Sequence, residues 1–267
     1  MSESPIIVVK IGGSTLGSHD TTLEDLVALQ REGWRPVVVH GGGMTISEWL
    51  NSRAIPTRFV RGLRVTDAES LRVVLAVLAG LINKELVAAI SALGGKAIGL
   101  SGADGGLVRV RQLDPELGYV GQIERVDGDM LVALLDAGYL PVVAPLGILW
   151  ENQRLRSQIL NINADTVAGE LAFALAARWL LFLTDVAGIS GSDGSSLARL
   201  SGQEAAALIE QGTVSGGMIP KVEACLRASE GDTRTAIIDG RQPHALLAAV
   251  QRGEFPGTII AAGEEGP

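Results

Sequence analysis

Short apolar runs recur along the chain, and each ends at glycine or a polar residue. Ile6-Ile7-Val8-Val9-Lys10-Ile11 leads into Gly12-Gly13-Ser14, and Pro36-Val37-Val38-Val39-His40 into Gly41-Gly42-Gly43. Runs that are apolar at nearly every position, not at alternate ones, read as strands buried on both faces, as in parallel sheets. The pattern predicts a strand at 6–11, a helix at 21–32, a strand at 36–40 and a helix at 43–53. A glycine-centred β-hairpin follows at 58–66, then a long helical stretch at 67–93 with a polar break at Asn83-Lys84. Beyond it come a strand at 96–101, a hairpin over 107–126, a helix at 128–137, a strand at 140–144 and a hairpin at 147–160. A helix opened by Asn161-Ile162-Asn163-Ala164-Asp165 runs to about 176, followed by a strand at 179–183 and helices at 201–210 and 218–229. A strand at 234–238, a helix at 243–251 and a last strand at 258–260, expected to close the sheet, complete the chain.

Strands alternating with helices of this length imply right-handed crossovers. The expected class is α/β, with an open, mainly parallel sheet between helix layers. The whole chain, 1–267, reads as one domain with lobes at 1–178 and 179–267. Ligands of such sheets sit outside the carboxyl ends of the strands. Lys10, His40, Ser101, Thr184 and Asp239 all fall at or near those ends.

With 47% hydrophobic residues in 267, the chain has ample material for a core. Aromatics at 4% are too few for base-stacking platforms, and a net charge of −8 argues against nucleic acid or an anionic membrane as partner. Cys225 is the only cysteine, so no internal disulfide forms, which fits a reducing cytoplasm. The 3 histidines lack metal-ligand spacing, and no metal ligand is assigned. No signal peptide is expected before the first strand. No apolar stretch is expected to be long and helical enough to span a bilayer.

Positive charge for an anionic ligand must therefore be local. Lys10 and two glycine turns, about 30 residues apart on the prior for one strand–helix unit, suggest a polyanion gripped from two strand ends. Gly42 and Gly43 open a helix, where backbone N–H groups and the dipole favour anions. No P-loop or dinucleotide-binding glycine motif occurs. Arg64, on the hairpin, is a candidate carboxylate clamp or a solvated arginine. Asn161, Asn163 and Asp165 exceed the needs of one helix cap. Lys221, after Gly216-Gly217-Met218-Ile219-Pro220, opposes the helix dipole, so an anion or Asp165 is expected to compensate it. His40 reads as a structural histidine before a base, and Cys225 as core before nucleophile.

Taken in order, these words resemble the amino acid kinase family. They are Lys10-Ile11-Gly12-Gly13, His40-Gly41-Gly42-Gly43, Gly62-Leu63-Arg64-Val65-Thr66, Asn83-Lys84, Gln112-Leu113-Asp114-Pro115-Glu116-Leu117-Gly118, Asn161-Ile162-Asn163-Ala164-Asp165, Thr184-Asp185-Val186-Ala187-Gly188-Ile189 and Gly216-Gly217-Met218-Ile219-Pro220-Lys221. The Gly-Leu-Arg-Val-Thr and Asn-x-Asn-Ala-Asp words point to the branch acting on N-acetyl-L-glutamate in arginine biosynthesis. The resemblance implies phosphoryl transfer from ATP, with Mg²⁺ carried by the nucleotide phosphates. It implies catalytic roles for Lys10, Lys221 and Asp165, phosphate binding by Gly12 and Gly13, and substrate binding by Gly42, Gly43, Arg64 and Asn161. Asp185, Val186, Ala187, Gly188, Ile189 and Ser190, with Thr213, Val214 and Ser215, match segments that line the nucleotide. The amino-terminal lobe would hold the amino acid and the carboxyl-terminal lobe ATP. The family's arginine-inhibited members carry a helix before the first strand that links dimers into hexamers; its absence here implies an arginine-insensitive homodimer with helix 67–93 in the contact. A kinase for carrier-protein-linked glutamate or 2-aminoadipate stays open, as does a non-catalytic ligand-binding regulator.

Overall fold

The computed structural model describes residues 4–12 and 21–261. Gly13 and Ser14 lie outside the described residues. In chain order the elements are β1 (Ile6–Ile11), α1 (Thr22–Arg31), β2 (Arg35–His40), α2 (Gly43–Ser52), β3 (Phe59–Val60), β4 (Leu63–Arg64), α3 (Ala68–Leu75) and α4 (Asn83–Ala92). Then come β5 (Ala97–Ser101), β6 (Val108–Gln112), β7 (Gly121–Val126), α5 (Asp129–Asp136), β8 (Leu140–Ala144), β9 (Leu146–Glu151), β10 (Arg154–Asn161) and α6 (Ala164–Ala174). The last third holds β11 (Trp179–Thr184), β12 (Ile189–Ser190), β13 (Ser196–Leu197), β14 (Arg199–Ser201), α7 (Gly202–Glu210), α8 (Ile219–Ser229), β15 (Arg234–Asp239), α9 (Ala245–Leu247) and β16 (Gly257–Ala261).

The all-apolar runs do form doubly covered strands. Eight strands pair in the order β14-β16-β15-β11-β1-β2-β8-β5. Every neighbouring pair is parallel except β15 with β16. Strand side chains alternate between faces. Val8, Val37, Val39 and Phe182 accordingly join α6 and α8 in one core, while Ile7, Val9, Ile11 and Val38 join α1 and α4 in another. The same period sends Lys10 to the Val8 side, toward α6. A smaller sheet, β10-β9-β6-β7, stands beside the main one.

Four expectations are corrected. The strand at 258–260 is not the edge: β14, too short to show a period, pairs outside it. The long helix has no break at Asn83-Lys84. It runs unbroken over Ala68–Ala92, through a π-helical turn at Ala76–Ile82, because the Asn83 side chain is buried and hydrogen-bonded and has no need to end the helix. At 25 residues, with an 18-residue window of mean hydropathy 2.0, it is, by length and composition alone, sufficient to cross a membrane, contrary to the sequence reading; its Val73, Val74, Val77 and Leu78 are buried against α2 and β9. The helix expected at 243–251 starts at Ala245, because His244 takes a left-handed φ of 58° immediately before it, and continues through a π-helical turn at Ala248–Arg252.

One crossing positions the site. A Cβ at Gly169 in α6 would lie 2.8 Å from the Ala224 carbonyl oxygen and 2.9 Å from its Cα in α8. Only glycine lets the two backbones approach this closely. Mid-helix Gly→Ala normally stabilises by about 1 kcal/mol. Here Gly169→Ala is expected to destabilise by about 1–3 kcal/mol through overpacking, read from the midpoint of urea unfolding at unchanged slope.

Candidate active site

The start of α6 is set by local chemistry. Asn163 caps it, its Oδ1 accepting from the backbone N–H groups of Asp165 at 2.7 Å and Thr166 at 3.2 Å. The next residue but one, Asp165, is then held in the first turn, 5% exposed. Lys10, from β1, places Nζ 2.8 Å from Asp165 Oδ1. Lys221, from the first turn of α8, donates to Oδ2 at 2.9 Å. One buried carboxylate thus carries two ammonium groups from opposite ends of the chain. Burial works against the Asp165 charge, yet the two lysines outweigh it and hold the carboxyl below the usual aspartate value. Burial lowers the Lys10 ammonium below the usual lysine value, with Asp165 opposing.

Lys10 and Asp165 line a cleft of about 210 Å³ together with Gly41, Gly42, Gly43, Arg64 and Asn161, while Lys221 reaches Asp165 from outside that lining. Arg64 ends β4 at the other side. Its guanidinium lies over the Phe59 ring, 4.7 Å from the centroid. Its Nη2 donates to the Gly43 carbonyl at 3.0 Å and to Ser47 Oγ at 2.8 Å. Its Nη1 is buried with no hydrogen-bond partner among the described residues. An unmade buried hydrogen bond is costly, about 1–3 kcal/mol, so the unpaired edge of this pinned guanidinium is a candidate donor to an anionic ligand. Asn161 donates to Thr66 Oγ1 at 3.3 Å and faces the same cleft. Between the ends the walls are apolar: Leu63, Val120 and Ile162.

Gly12 lines an adjoining pocket of about 140 Å³ that shares Gly41 and Gly42 with the main cleft. His40 is buried, pushed down to about 4 by that burial, and therefore neutral at pH 7. Cys225 is fully buried and its thiol is pushed up to about 12, as befits a core residue.

The segment from Asp185 to Ser190 follows β11 and lines no part of the 210 Å³ cleft. Val186 donates to Thr184 Oγ1 at 3.3 Å and stays half-exposed, while Ile189 donates to Thr258 Oγ1 at 2.8 Å, strapping the turn onto β16. Thr213, Val214 and Ser215 sit between α7 and α8, with Val214 buried and bonded to the Leu208 carbonyl at 3.0 Å. The sequence reading missed Ser47 and Phe59, which fix Arg64 but lie outside any motif it used. It also missed Arg241, whose Nε and Nη2 each lie 2.8 Å from Asp239 at the end of β15. A cation two residues past a strand-end aspartate was the available signal.

The model of the amino acid kinase family matches residues 5–239. The chain is 44% identical over 259 residues to acetylglutamate kinase of Dehalococcoides mccartyi, covering 97% of this chain and 95% of that one. It is 43% identical to acetylglutamate kinase of Methanothrix thermoacetophila, covering 96% and 92%. Among solved structures, N-acetylglutamate synthase of Neisseria gonorrhoeae with coenzyme A and N-acetyl-glutamate superposes at TM-score 0.82 and 27% identity, over 96% of this chain and 59% of that one. The fold extends to carbamate kinase of Giardia lamblia at TM-score 0.66 and 16% identity, over 98% and 99% of the two chains. The chain belongs to the amino acid kinase family.

Proposed function

We propose that the chain transfers the terminal phosphoryl group of ATP to the side-chain carboxylate of N-acetyl-L-glutamate, the phosphorylation step of arginine biosynthesis. The observation that carries the reading is the single buried carboxylate shared by Lys10 and Lys221 at 2.8 and 2.9 Å. Two ammonium groups against one carboxylate leave a local excess of positive charge, which is what a transferring phosphoryl group needs. A carboxylate nucleophile is already ionised at pH 7, so no general base is required, and neutral His40 is not asked to be one. One carboxylate oxygen attacks the γ-phosphorus. The bond to the bridging oxygen breaks with its electron pair, leaving ADP and an acyl phosphate. Compact lysine charges suit oxygens that move between donor and acceptor.

The cleft also favours an acetylated amino acid. Among the described residues its lining holds Lys10 and Arg64 but only one carboxylate, Asp165, and that one is already shared by two lysines. A free α-ammonium would enter an electropositive site with no anion to pair with. A neutral acetamido group avoids that cost and meets the apolar walls. Arg64 Nη1 is the assigned seat of the α-carboxylate, with Asn161 beside the acetamido group. Residues 1–178 supply this side, and the turns at 185–190 and 213–215 serve the nucleotide. Both Asp165 oxygens lie beside lysine ammonium groups, so Mg²⁺ is assigned to the nucleotide phosphates. A carrier-linked substrate is less well served: Arg61 lies 2.8 Å from Asp114 and Arg58 3.4 Å from Glu116, so the rim arginines are paired. The assembly is assigned as a homodimer over the long helix, which leaves Ala76 and Gly80 exposed and Leu75 and Ala79 half-buried.

Hydroxylamine trapping of the acyl phosphate tests the reading: N-acetyl-L-glutamate should give ATP-dependent hydroxamate while L-glutamate and 2-aminoadipate give little. ATP binding without hydroxamate from any of the three would overturn it. Lys10→Ala and Lys221→Ala should each lower kcat by at least ~100-fold, the scale of losing one preorganised electrostatic donor; unchanged kcat removes that lysine from catalysis. Arg64→Lys should chiefly raise KM for the amino acid, since a point-like ammonium lacks the planar fork that holds Gly43 and Ser47 with one nitrogen and presents the other to a carboxylate. A KM change confined to ATP would refute that assignment.

A further inference from the structure

The Asn83-Lys84 pair, a motif word with no role in the chemistry above, forms a contact chain that ends at the glycine turn. Asn83 is fully buried at the start of α4. Its Nδ2 lies 2.8 Å from the Val142 carbonyl, 3.2 Å from the Leu100 carbonyl and 3.3 Å from His40 Nε2. Its Oδ1 accepts from Lys84 Nζ at 3.0 Å, and the same ammonium donates to the Gly99 carbonyl at 3.1 Å. Gly99 makes room for this, since a Cβ there would fall 2.0 Å from Asn83 Oδ1 and 2.6 Å from Lys84 Nζ.

The chemistry of the groups fixes every orientation. An ammonium only donates, so the Asn83 atom facing Lys84 is oxygen. Carbonyls only accept, so the atom facing Val142 and Leu100 is nitrogen. Its two protons are shared among three acceptors, of which His40 Nε2 at 3.3 Å is the longest, so Nε2 meets it with a lone pair; the Gly41 carbonyl, which only accepts, puts the imidazole proton on Nδ1. Nδ1 lies 2.9 Å from the Gly41 carbonyl oxygen and donates to it. The peptides among the described residues are trans. A Gly41 carbonyl turned toward His40 therefore turns the Gly42 N–H the opposite way. Gly42 caps α2, so that N–H has no intrahelical partner, and Gly42 lines the cleft with Lys10 and Asp165. The π-helical turn at Ala76–Ile82 sets where Asn83 points: one residue more or fewer before it would rotate the side chain by about 100°.

We infer that Lys84, Asn83 and His40 form a positioning relay that locks the Gly41–Gly42 peptide, aiming the Gly42 N–H at the anionic oxygens handled in the cleft. This deepens the phosphoryl-transfer reading and rests on it. Lys84 touches no reacting atom; it acts with the Val142 and Leu100 carbonyls against the flipped Asn83 amide, which would present oxygen to His40 and favour the imidazole proton on Nε2.

The test combines a spectrum with kinetics. Protein carrying ¹⁵N-histidine has 3 histidines, and His40→Asn identifies the His40 signals. Long-range ¹H–¹⁵N spectra at pH 7 should show His40 neutral with the proton on Nδ1. In Lys84→Met, which keeps the stem but not the donor, the tautomers should mix and kcat should fall about tenfold, the lower end for losing a residue that orients a ligand group, with both KM values held. Lys84→Arg should restore both. A wild-type His40 protonated on Nε2 or on both nitrogens, or a Lys84→Met protein with unaltered kcat or unaltered tautomer, overturns the relay. The wild-type spectrum needs no substrate, so a failed relay is distinguishable from a failed kinase reading, which would show as absent hydroxamate with the tautomer intact.

Discussion

Asp165 can neutralise one of the two lysines that touch it, and the site is built on that shortfall. Burying three charges with a residue of positive charge is expensive unless a partner arrives. The arrangement persists because three elements are welded around it: β1 brings Lys10, the capped start of α6 brings Asp165, and the tight α6–α8 crossing at Gly169 and Ala224 brings Lys221. Electrostatic preorganisation of this kind costs the reaction nothing at the moment of transfer, because its cost is carried by folding. A shift in the crossing would separate Lys221 from Asp165 while leaving the sheet standing.

Much of this was legible before any coordinates. All-apolar runs ending in glycine gave buried parallel strands, since period and burial are properties of the run itself. The mismatch of Lys221 with its helix dipole anticipated its pairing with Asp165, because a local penalty demands a compensating anion. The spare Asn163, beyond what the site needs, proved to be the cap. What stayed hidden depends on contacts far apart in the chain. Asn83 looked like an interruption because polarity in an apolar helix usually signals exposure; its amide is satisfied by carbonyls of β5 and β8, which no local pattern reveals. Ser47 and Phe59 pin Arg64 by geometry alone. The three-residue β14 is too short to carry a period, and its pairing with β16 is a tertiary fact.

Three helix N-termini, those of α2, α6 and α8, bear on the same region, and two of them carry or face a lysine. Dipoles, ammonium groups and Gly42 all contribute positive potential, and Arg64 Nη1 adds another unanswered donor at the far end of the cleft. A chain of net charge −8 thus places unneutralised positive charge at this site. Such a field distinguishes ligands by where their charges lie. A molecule with an anion at each end and a neutral middle satisfies both the arginine and the lysine ends at once. An added cation in the middle forfeits part of that gain and finds no carboxylate in compensation. Under the proposed function, selection of the acetylated amino acid and stabilisation of the moving phosphoryl group share one cause, the scarcity of negative charge around Asp165 among the described residues.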